Sequence, residues 1–175
     1  MIKIVLTGPE SVGKSTLCKE LAKYFNTICI SEYARNYIEK LNRKYTYNDV
    51  INIAKTQIKQ FEQEYFNANK FIFFDTDLKI TKIWFEEVYN KVPDFVANKI
   101  KTNKPDMHLL CFPDIKWEKD AVRENEEARL YLYEKYKNEI EKNNINYNII
   151  TGTGSERLNL ALKKISSAYS LQFIK

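Results

Sequence analysis

The chain has 175 residues, 44% of them hydrophobic, and a formal net charge of +5. This length suits one domain spanning residues 1–175, and this composition excludes a disordered chain. The longest apolar runs have the length of a strand, and the first strand begins close to Met1. We therefore expect a cytoplasmic protein without a membrane segment or signal peptide, and the modest charge does not require a nucleic-acid partner.

The first predicted strand, residues 2–6, leads into the sequence GPESVGKS, which fits the phosphate-binding pattern G-x-x-x-x-G-K-[ST]. A helix with apolar residues at helical spacing follows, as this motif requires. Backbone N–H groups of such a loop hold the phosphates, Lys14 reaches the β- and γ-phosphates, and the Ser15 hydroxyl binds Mg²⁺. The motif predicts binding of a nucleoside triphosphate, taken as ATP, together with Mg²⁺. The predicted nucleotide-binding residues are Gly8, Glu10, Ser11, Val12, Gly13, Lys14, Ser15 and Thr16.

Glu32 and Arg35 follow the second predicted strand, residues 27–30. They therefore lie at the carboxyl edge of the predicted sheet, where open α/β sheets bind their ligands. Glu32 is a candidate to bind or deprotonate an acceptor hydroxyl, and Arg35 to contact a phosphate or to orient the acid. The alternative is an i,i+3 ion pair on an exposed helix.

Two carboxylates, Asp75 and Asp77, follow the third predicted strand, residues 71–74. An apolar strand that ends in an acid is typical of a Walker B element, so Asp75 is the candidate that holds Mg²⁺ with Ser15. Asp77 is a candidate proton acceptor, and its alternative role is to cap the helix that begins near Leu78.

A charged stretch follows the fourth predicted strand, residues 108–112, and we interpret residues 113–130 as a lid. Phosphoryl transfer spreads negative charge over the transferred group, and an arginine carried by a closing lid stabilises that charge. Arg123 is the candidate for this role. Arg129 lies on the helix that follows, and its alternative role is an ordinary solvated helix charge. The fifth predicted strand, residues 147–150, precedes a TGTG sequence that P-loop topology would place beside the adenine ring.

Apolar runs of strand length alternate with longer amphipathic stretches, which is the pattern of an α/β fold. The sequence predicts a doubly wound, five-stranded parallel sheet with ligands at the carboxyl ends of its strands. Thr46 and Ser155 are the expected caps of two helices, and Cys18, Cys29 and Cys111 lack metal-ligand spacing and are expected to be buried free thiols. Besides the helix after the phosphate loop, helices are predicted over residues 48–67, 78–90, 96–101, 125–141 and 156–169.

Together these motifs resemble the ribosylnicotinamide kinase domain of the NadR type, a member of the P-loop nucleoside-kinase-like group. The segments that carry the resemblance are GPES through KSTL in residues 8–17, EYAR in 32–35, DTD in 75–77 with Thr81, Trp84 and Tyr89, and PDIKW through DAVR in 113–123. That family phosphorylates the 5′-hydroxyl of nicotinamide riboside with ATP and Mg²⁺ to give nicotinamide mononucleotide. The resemblance implies an acceptor pocket around Glu32, Arg35, Asp75, Asp77 and Trp84, and a lid that contains Arg123 and Arg129. The aromatic face of Trp84 suits a cationic pyridinium ring.

Two other functions compete with this interpretation. The first alternative keeps the chemistry and takes another nucleoside as the acceptor. A nucleoside monophosphate as acceptor would need more arginines in its pocket than a chain with five arginines supplies. The second alternative is a nucleotide-dependent switch or AAA-like ATPase that binds a protein partner. The sequence leaves open the oligomeric state, the nucleotide donor, which of Asp75, Asp77 and Glu32 is the general base, and which tryptophan meets the substrate.

Overall fold

The computed structural model describes residues 1–118 and 127–171. Within these ranges strands and helices alternate along the chain. The strands are β1 (Ile2–Thr7), β2 (Cys29–Ile30), β3 (Phe71–Asp75), β4 (Met107–Cys111) and β5 (Tyr147–Ile150). The helices are α1 (Lys14–Tyr24), α2 (Tyr33–Glu39), α3 (Tyr47–Glu62), α4 (Leu78–Tyr89), α5 (Asp94–Thr102), α6 (Arg129–Lys142) and α7 (Gly154–Tyr169).

The five strands pair in parallel in the order β2-β3-β1-β4-β5. In the register of the central strands, Leu6 of β1 lies opposite Asp75 of β3 and Leu109 of β4. The loop that leaves β1 therefore starts beside the acid that ends β3. The predicted doubly wound parallel sheet is confirmed, and its carboxyl edge gathers the loops after β1, β2 and β3.

The apolar core lies on both faces of the sheet because successive side chains of a strand point to opposite faces. Ile4 and Leu6 pack on one face against α1 and α7, whereas Val5 belongs to a cluster on the other face. Further clusters pack α4 against α3 and α5, and against α6. Because both faces of the sheet are buried, the sequences of the central strands are continuous apolar runs.

The structure corrects several boundaries. Strand β2 covers only two of its four predicted residues, because the Thr27 N–H donates to Ala22 O at the end of α1 (2.8 Å) and does not enter a strand ladder. The cap of α7 is Thr153 and not Ser155, whereas Thr46 caps α3 as predicted. A short helix, α2, follows β2.

Two of the three cysteines differ from the prediction. Cys18 on α1 and Cys29 on β2 form a disulfide, so the expectation of free thiols is wrong for these two residues. The packing of α1 against β2 brings the two cysteines together. Cys111 on β4 is a buried free thiol, as predicted. Among the described residues, no helix is both long and apolar enough to cross a membrane.

Candidate active site

The loop between β1 and α1 has the geometry of a phosphate cradle. Gly8 has φ 151°, and a Cβ there would lie 2.7 Å from the carbonyl oxygen of Cys111, so only glycine fits this approach. Gly13 has φ 73° and ends the loop just before α1. The Lys14 Nζ donates to the carbonyls of Gly8 (2.9 Å) and Pro9 (2.6 Å) and so lies across the loop.

The first turn of α1 is open toward an anion. Within the described residues, no side chain caps this turn, and it contains no acidic residue. The N–H groups at a helix start that lack a cap attract negative charge, as does the positive end of the helix dipole. The loop and the start of α1 therefore form a site suited to phosphate groups.

Glu32 lies close enough to Lys14 and Asp75 for both residues to change the pKa of the Glu32 carboxyl. Burial raises the pKa of the Glu32 carboxyl above its ordinary value. The Lys14 ammonium opposes this rise, and the Asp75 carboxylate adds to it. Arg35 also lowers the pKa, by a smaller amount. Glu32 therefore lies beside the phosphate loop, close to the acid that ends β3.

Asp75 is 4% exposed, and one of its carboxylate oxygens, Oδ1, has no hydrogen-bond partner among the described residues. A buried carboxylate oxygen without a partner is costly, and in native structures it usually contacts water or an ion. Magnesium sites commonly use one or two protein oxygens together with substrate phosphates. Ser15, at the start of α1, is exposed and carries a hydroxyl oxygen. The oxygens of Asp75 and Ser15 are therefore of the kind that Mg²⁺ prefers as ligands.

Asp77 is positioned differently from Asp75. Its carboxylate caps α4 by accepting from Lys79 N (3.0 Å), and it accepts from Lys79 Nζ (2.7 Å), a fully buried ammonium. Burial alone, the largest single cause, would raise the pKa of Asp77, but the charge of Lys79 and the hydrogen bonds that Lys79 donates act together to hold the pKa below its usual range. His108 Nε2 lies 3.7 Å away, and burial lowers the pKa of His108 to about 3, so His108 is neutral at pH 7 and Lys79 supplies the attraction. The structure thus places Asp77 at the helix cap, and its part in proton transfer stays a prediction.

A large groove begins at the phosphate loop and runs between α2, α4 and α6. Its volume is about 1060 Å³, enough for a nucleoside together with a triphosphate. Glu32, Arg35 and Trp84, three of the residues that the resemblance placed around an acceptor pocket, all line it. Their roles toward an acceptor stay predictions. Asp75 and Asp77 line a smaller neighbouring cavity, and Thr76 borders both spaces.

Aromatic side chains that the sequence did not single out complete the groove. The ring of Tyr45 meets Trp84 edge to face at 4.9 Å between centroids, and both line the groove. Tyr136 of α6 lines it as well, with a largely buried ring. The spacing of the many aromatic residues gave no signal for these two tyrosines. Their place in the groove depends on the packing of α4 against α6 and against the segment that precedes α3.

The two predicted lid arginines have different outcomes. Arg123 lies outside the described residues. The Arg129 Nη2 donates to the carbonyls of Ile115 (2.8 Å) and Ser11 (3.3 Å), and its guanidinium lies 5.9 Å from the Trp117 ring. The Arg129 side chain therefore contacts the backbone of the phosphate loop at Ser11. Its role toward substrate stays a prediction.

Comparison with known proteins identifies the family of this chain. A family model described as an AAA domain matches residues 3–157. The chain belongs to this AAA-domain family. The chain is also 31% identical over 126 residues to the trifunctional NAD biosynthesis/regulator protein NadR of Salmonella typhimurium, a match that covers 69% of the chain and 30% of that relative. The chain spans about a third of the length of the curated relatives it matches.

Solved structures share the fold of this AAA-domain family member. A NadR protein in complex with NR superposes with a TM-score of 0.80 at 20% identity, over 99% of the chain and 53% of that protein. A deoxyadenosine kinase from M. mycoides gives a TM-score of 0.69 at 18% identity, over 95% of the chain and all of that kinase. The resemblance to the NadR type is confirmed, and the fold is that of P-loop nucleoside kinases.

Proposed function

We propose that this chain is an ATP-dependent kinase that phosphorylates the 5′-hydroxyl of nicotinamide riboside and gives nicotinamide mononucleotide. The observation that carries the proposal is the groove that Glu32, Arg35 and the Trp84–Tyr45 pair line together with residues of the phosphate loop. An aromatic wall suits a cationic nicotinamide ring, and a carboxylate beside the loop suits a hydroxyl acceptor. The likeness to NadR supports this choice of acceptor.

In the proposed reaction the phosphate loop binds ATP, with its backbone N–H groups and Lys14 on the β- and γ-phosphates. Ser15 and Asp75 would hold Mg²⁺, which neutralises phosphate charge when bound. Glu32 accepts the proton of the 5′-hydroxyl as the hydroxyl oxygen attacks the γ-phosphorus and ADP leaves. A carboxylate whose pKa is raised by burial is a stronger base than one in water, which favours Glu32 over Asp77 for this step.

The remaining site residues position the substrate and the transferred group. Arg35 borders the groove on the side of Glu32, and Trp84 provides a face for the nicotinamide ring. The proposal also includes a lid over residues 113–130, in which Arg123 closes over the transferred phosphoryl group. Only the sequence supports this part of the proposal. Most of the rate acceleration would come from positioning and electrostatics, as in other phosphoryl transfers.

The test is ADP release from ATP·Mg²⁺ with nicotinamide riboside, adenosine, cytidine or thymidine as acceptor, or with none. We expect strong stimulation by nicotinamide riboside alone, with nicotinamide mononucleotide as the product. Stimulation by a different nucleoside would retain the kinase and replace the substrate. Slow hydrolysis that no acceptor stimulates would instead favour the ATPase switch that the sequence left as an alternative. The Lys14→Ala variant serves as the matched control for contaminating kinases in every reaction.

A further inference from the structure

Arg157, in the first turn of α7, is the one buried arginine among the described residues. Its guanidinium reaches three separate segments of the chain. Nε donates to Gly152 O (2.7 Å) after β5, and Nη1 donates to Val12 O (3.0 Å) in the phosphate loop. Nη2 donates to Phe112 O (3.1 Å) after β4 and to the carboxylate of Asp114.

The contact with Val12 bears on phosphate binding. Val12 is 1% exposed, so its carbonyl needs a donor from within the protein, and Arg157 supplies one. A trans peptide is planar, and its C=O and N–H groups point in opposite directions. With the Val12 carbonyl fixed toward Arg157, the N–H of Gly13 in the same peptide is held facing away from it. Gly13 stands at the start of α1, where N–H groups bind phosphate.

Asp114 holds the guanidinium in place. Its carboxylate pairs with Arg157 Nη2, and it also accepts from Gly152 N (2.7 Å). One guanidinium and one carboxylate thus join the phosphate loop, the end of β4 and the end of β5. A lysine would keep the charge, but it lacks the rigid fork of donors that contacts several carbonyls at once.

We propose that Arg157 is a positioning residue for nucleotide binding, because it fixes the Val12–Gly13 peptide of the phosphate loop. The proposal rests on the proposed function only in that ATP binds this loop, and it is independent of which acceptor is phosphorylated. A merely structural role would instead tie α7 to the sheet without affecting the affinity for nucleotide.

The test is the Arg157→Lys variant, with the Kd of ATP·Mg²⁺ measured by titration calorimetry in the absence of acceptor. Loss of a charged hydrogen bond to the loop is expected to raise the Kd by about tenfold. The KM for nicotinamide riboside is expected to stay within about twofold of the original protein, because neither Arg157 nor Asp114 lines the groove that would hold this acceptor. Leu162→Ala is the matched control, since Leu162 is a buried core residue of the same helix. This control is expected to lower the melting temperature and leave the Kd for ATP unchanged.

A second pair of measurements applies where Arg157→Lys folds poorly. Asp114→Asn keeps the shape of a partly exposed side chain and removes the charge that holds Arg157, so it should raise the Kd for ATP by several-fold. Added guanidinium chloride at low concentration should restore ATP affinity to Arg157→Ala, whereas equal sodium chloride should not. The proposal is overturned if Arg157→Lys binds ATP as tightly as the original protein, or if Leu162→Ala loses the same affinity. Failure of the original protein to bind ATP would reject nucleotide binding at the loop itself.

Discussion

Replacing Glu32 by glutamine separates its catalytic role from its effect on stability. The change keeps the size of the side chain and removes the charge and the proton-accepting oxygen. If Glu32 is the general base, kcat/KM for nicotinamide riboside should fall by about 10²–10⁴-fold. That loss corresponds to about 2.7–5.5 kcal/mol of transition-state stabilisation.

The same variant should be more stable at neutral pH. Burial raises the pKa of Glu32 in the folded chain, despite the attraction of Lys14 and Arg35, so folding disfavours its charged form. The folded protein therefore binds this proton more tightly than the unfolded chain. Its stability falls as pH rises from the ordinary value of 4.5 through the raised pKa, and above that pKa the whole penalty is present. Removing the charge should therefore raise the melting temperature at pH 7.

The measurements are pH profiles of kcat/KM and thermal melts at pH 4 and pH 7, both with Glu32→Gln and the original protein. The rate of the original protein should rise with pH along a limb that the variant lacks. The gain in melting temperature should be present at pH 7 and absent at pH 4. A variant that retains this limb and near-normal kcat/KM would refute the assignment of Glu32 as base. A melting temperature that drops at pH 7 would refute the electrostatic argument.

Three further changes test other parts of the site. Lys14→Ala should lower kcat/KM at least about 100-fold, or about 2.7 kcal/mol, while circular dichroism shows an intact fold; near-normal activity would reject the phosphate-loop assignment. Asp77→Asn should lower the free energy of unfolding by about 3 kcal/mol in urea titrations, because the buried Lys79 ammonium loses its charged partner, and ATP affinity should survive. A large loss of turnover in a folded variant that still binds ATP would instead return Asp77 to proton transfer. Trp84→Leu should raise the KM for nicotinamide riboside about tenfold and leave the KM for ATP unchanged, and Trp84→Phe should raise the KM for nicotinamide riboside less. If the original protein and both variants have the same KM for nicotinamide riboside, Trp84 is not part of the acceptor pocket.

The parts of this protein that the sequence predicts best are those that depend on neighbouring residues. The phosphate loop is a contiguous motif, and the apolar runs of the central strands need no knowledge of their partners. The parallel sheet and its carboxyl edge followed from these signals alone. The cap of α3 by Thr46 was equally local, because a cap and its helix are adjacent in the chain.

The features that the sequence missed pair residues from distant segments. Arg157 contacts Val12 across 145 positions, and Thr7 lies 2.7 Å from His108 across 101 positions. The disulfide joins two cysteines only 11 positions apart, but their approach depends on how α1 packs against β2. Tyr45 and Tyr136 likewise reach the groove only through tertiary packing. No spacing rule within one element encodes such contacts.

The three carboxylates near the phosphate loop have different environments in the fold, and these environments bear on the roles proposed for them. The sequence made Asp75 the candidate for the metal and left Asp77 between proton transfer and the cap of the helix that follows. In the fold, Asp77 has its oxygens engaged by the cap of α4 and by Lys79, whereas Asp75 keeps a buried oxygen without a protein partner among the described residues. An oxygen that already accepts from an ammonium is a poor ligand and a weak base, and the lowered pKa of Asp77 agrees with this. Glu32 has the opposite environment, because burial raises its pKa beside Lys14. The arrangement therefore favours Asp75 for the metal, Glu32 for the proton and Asp77 for the structure of the corner between β3 and α4.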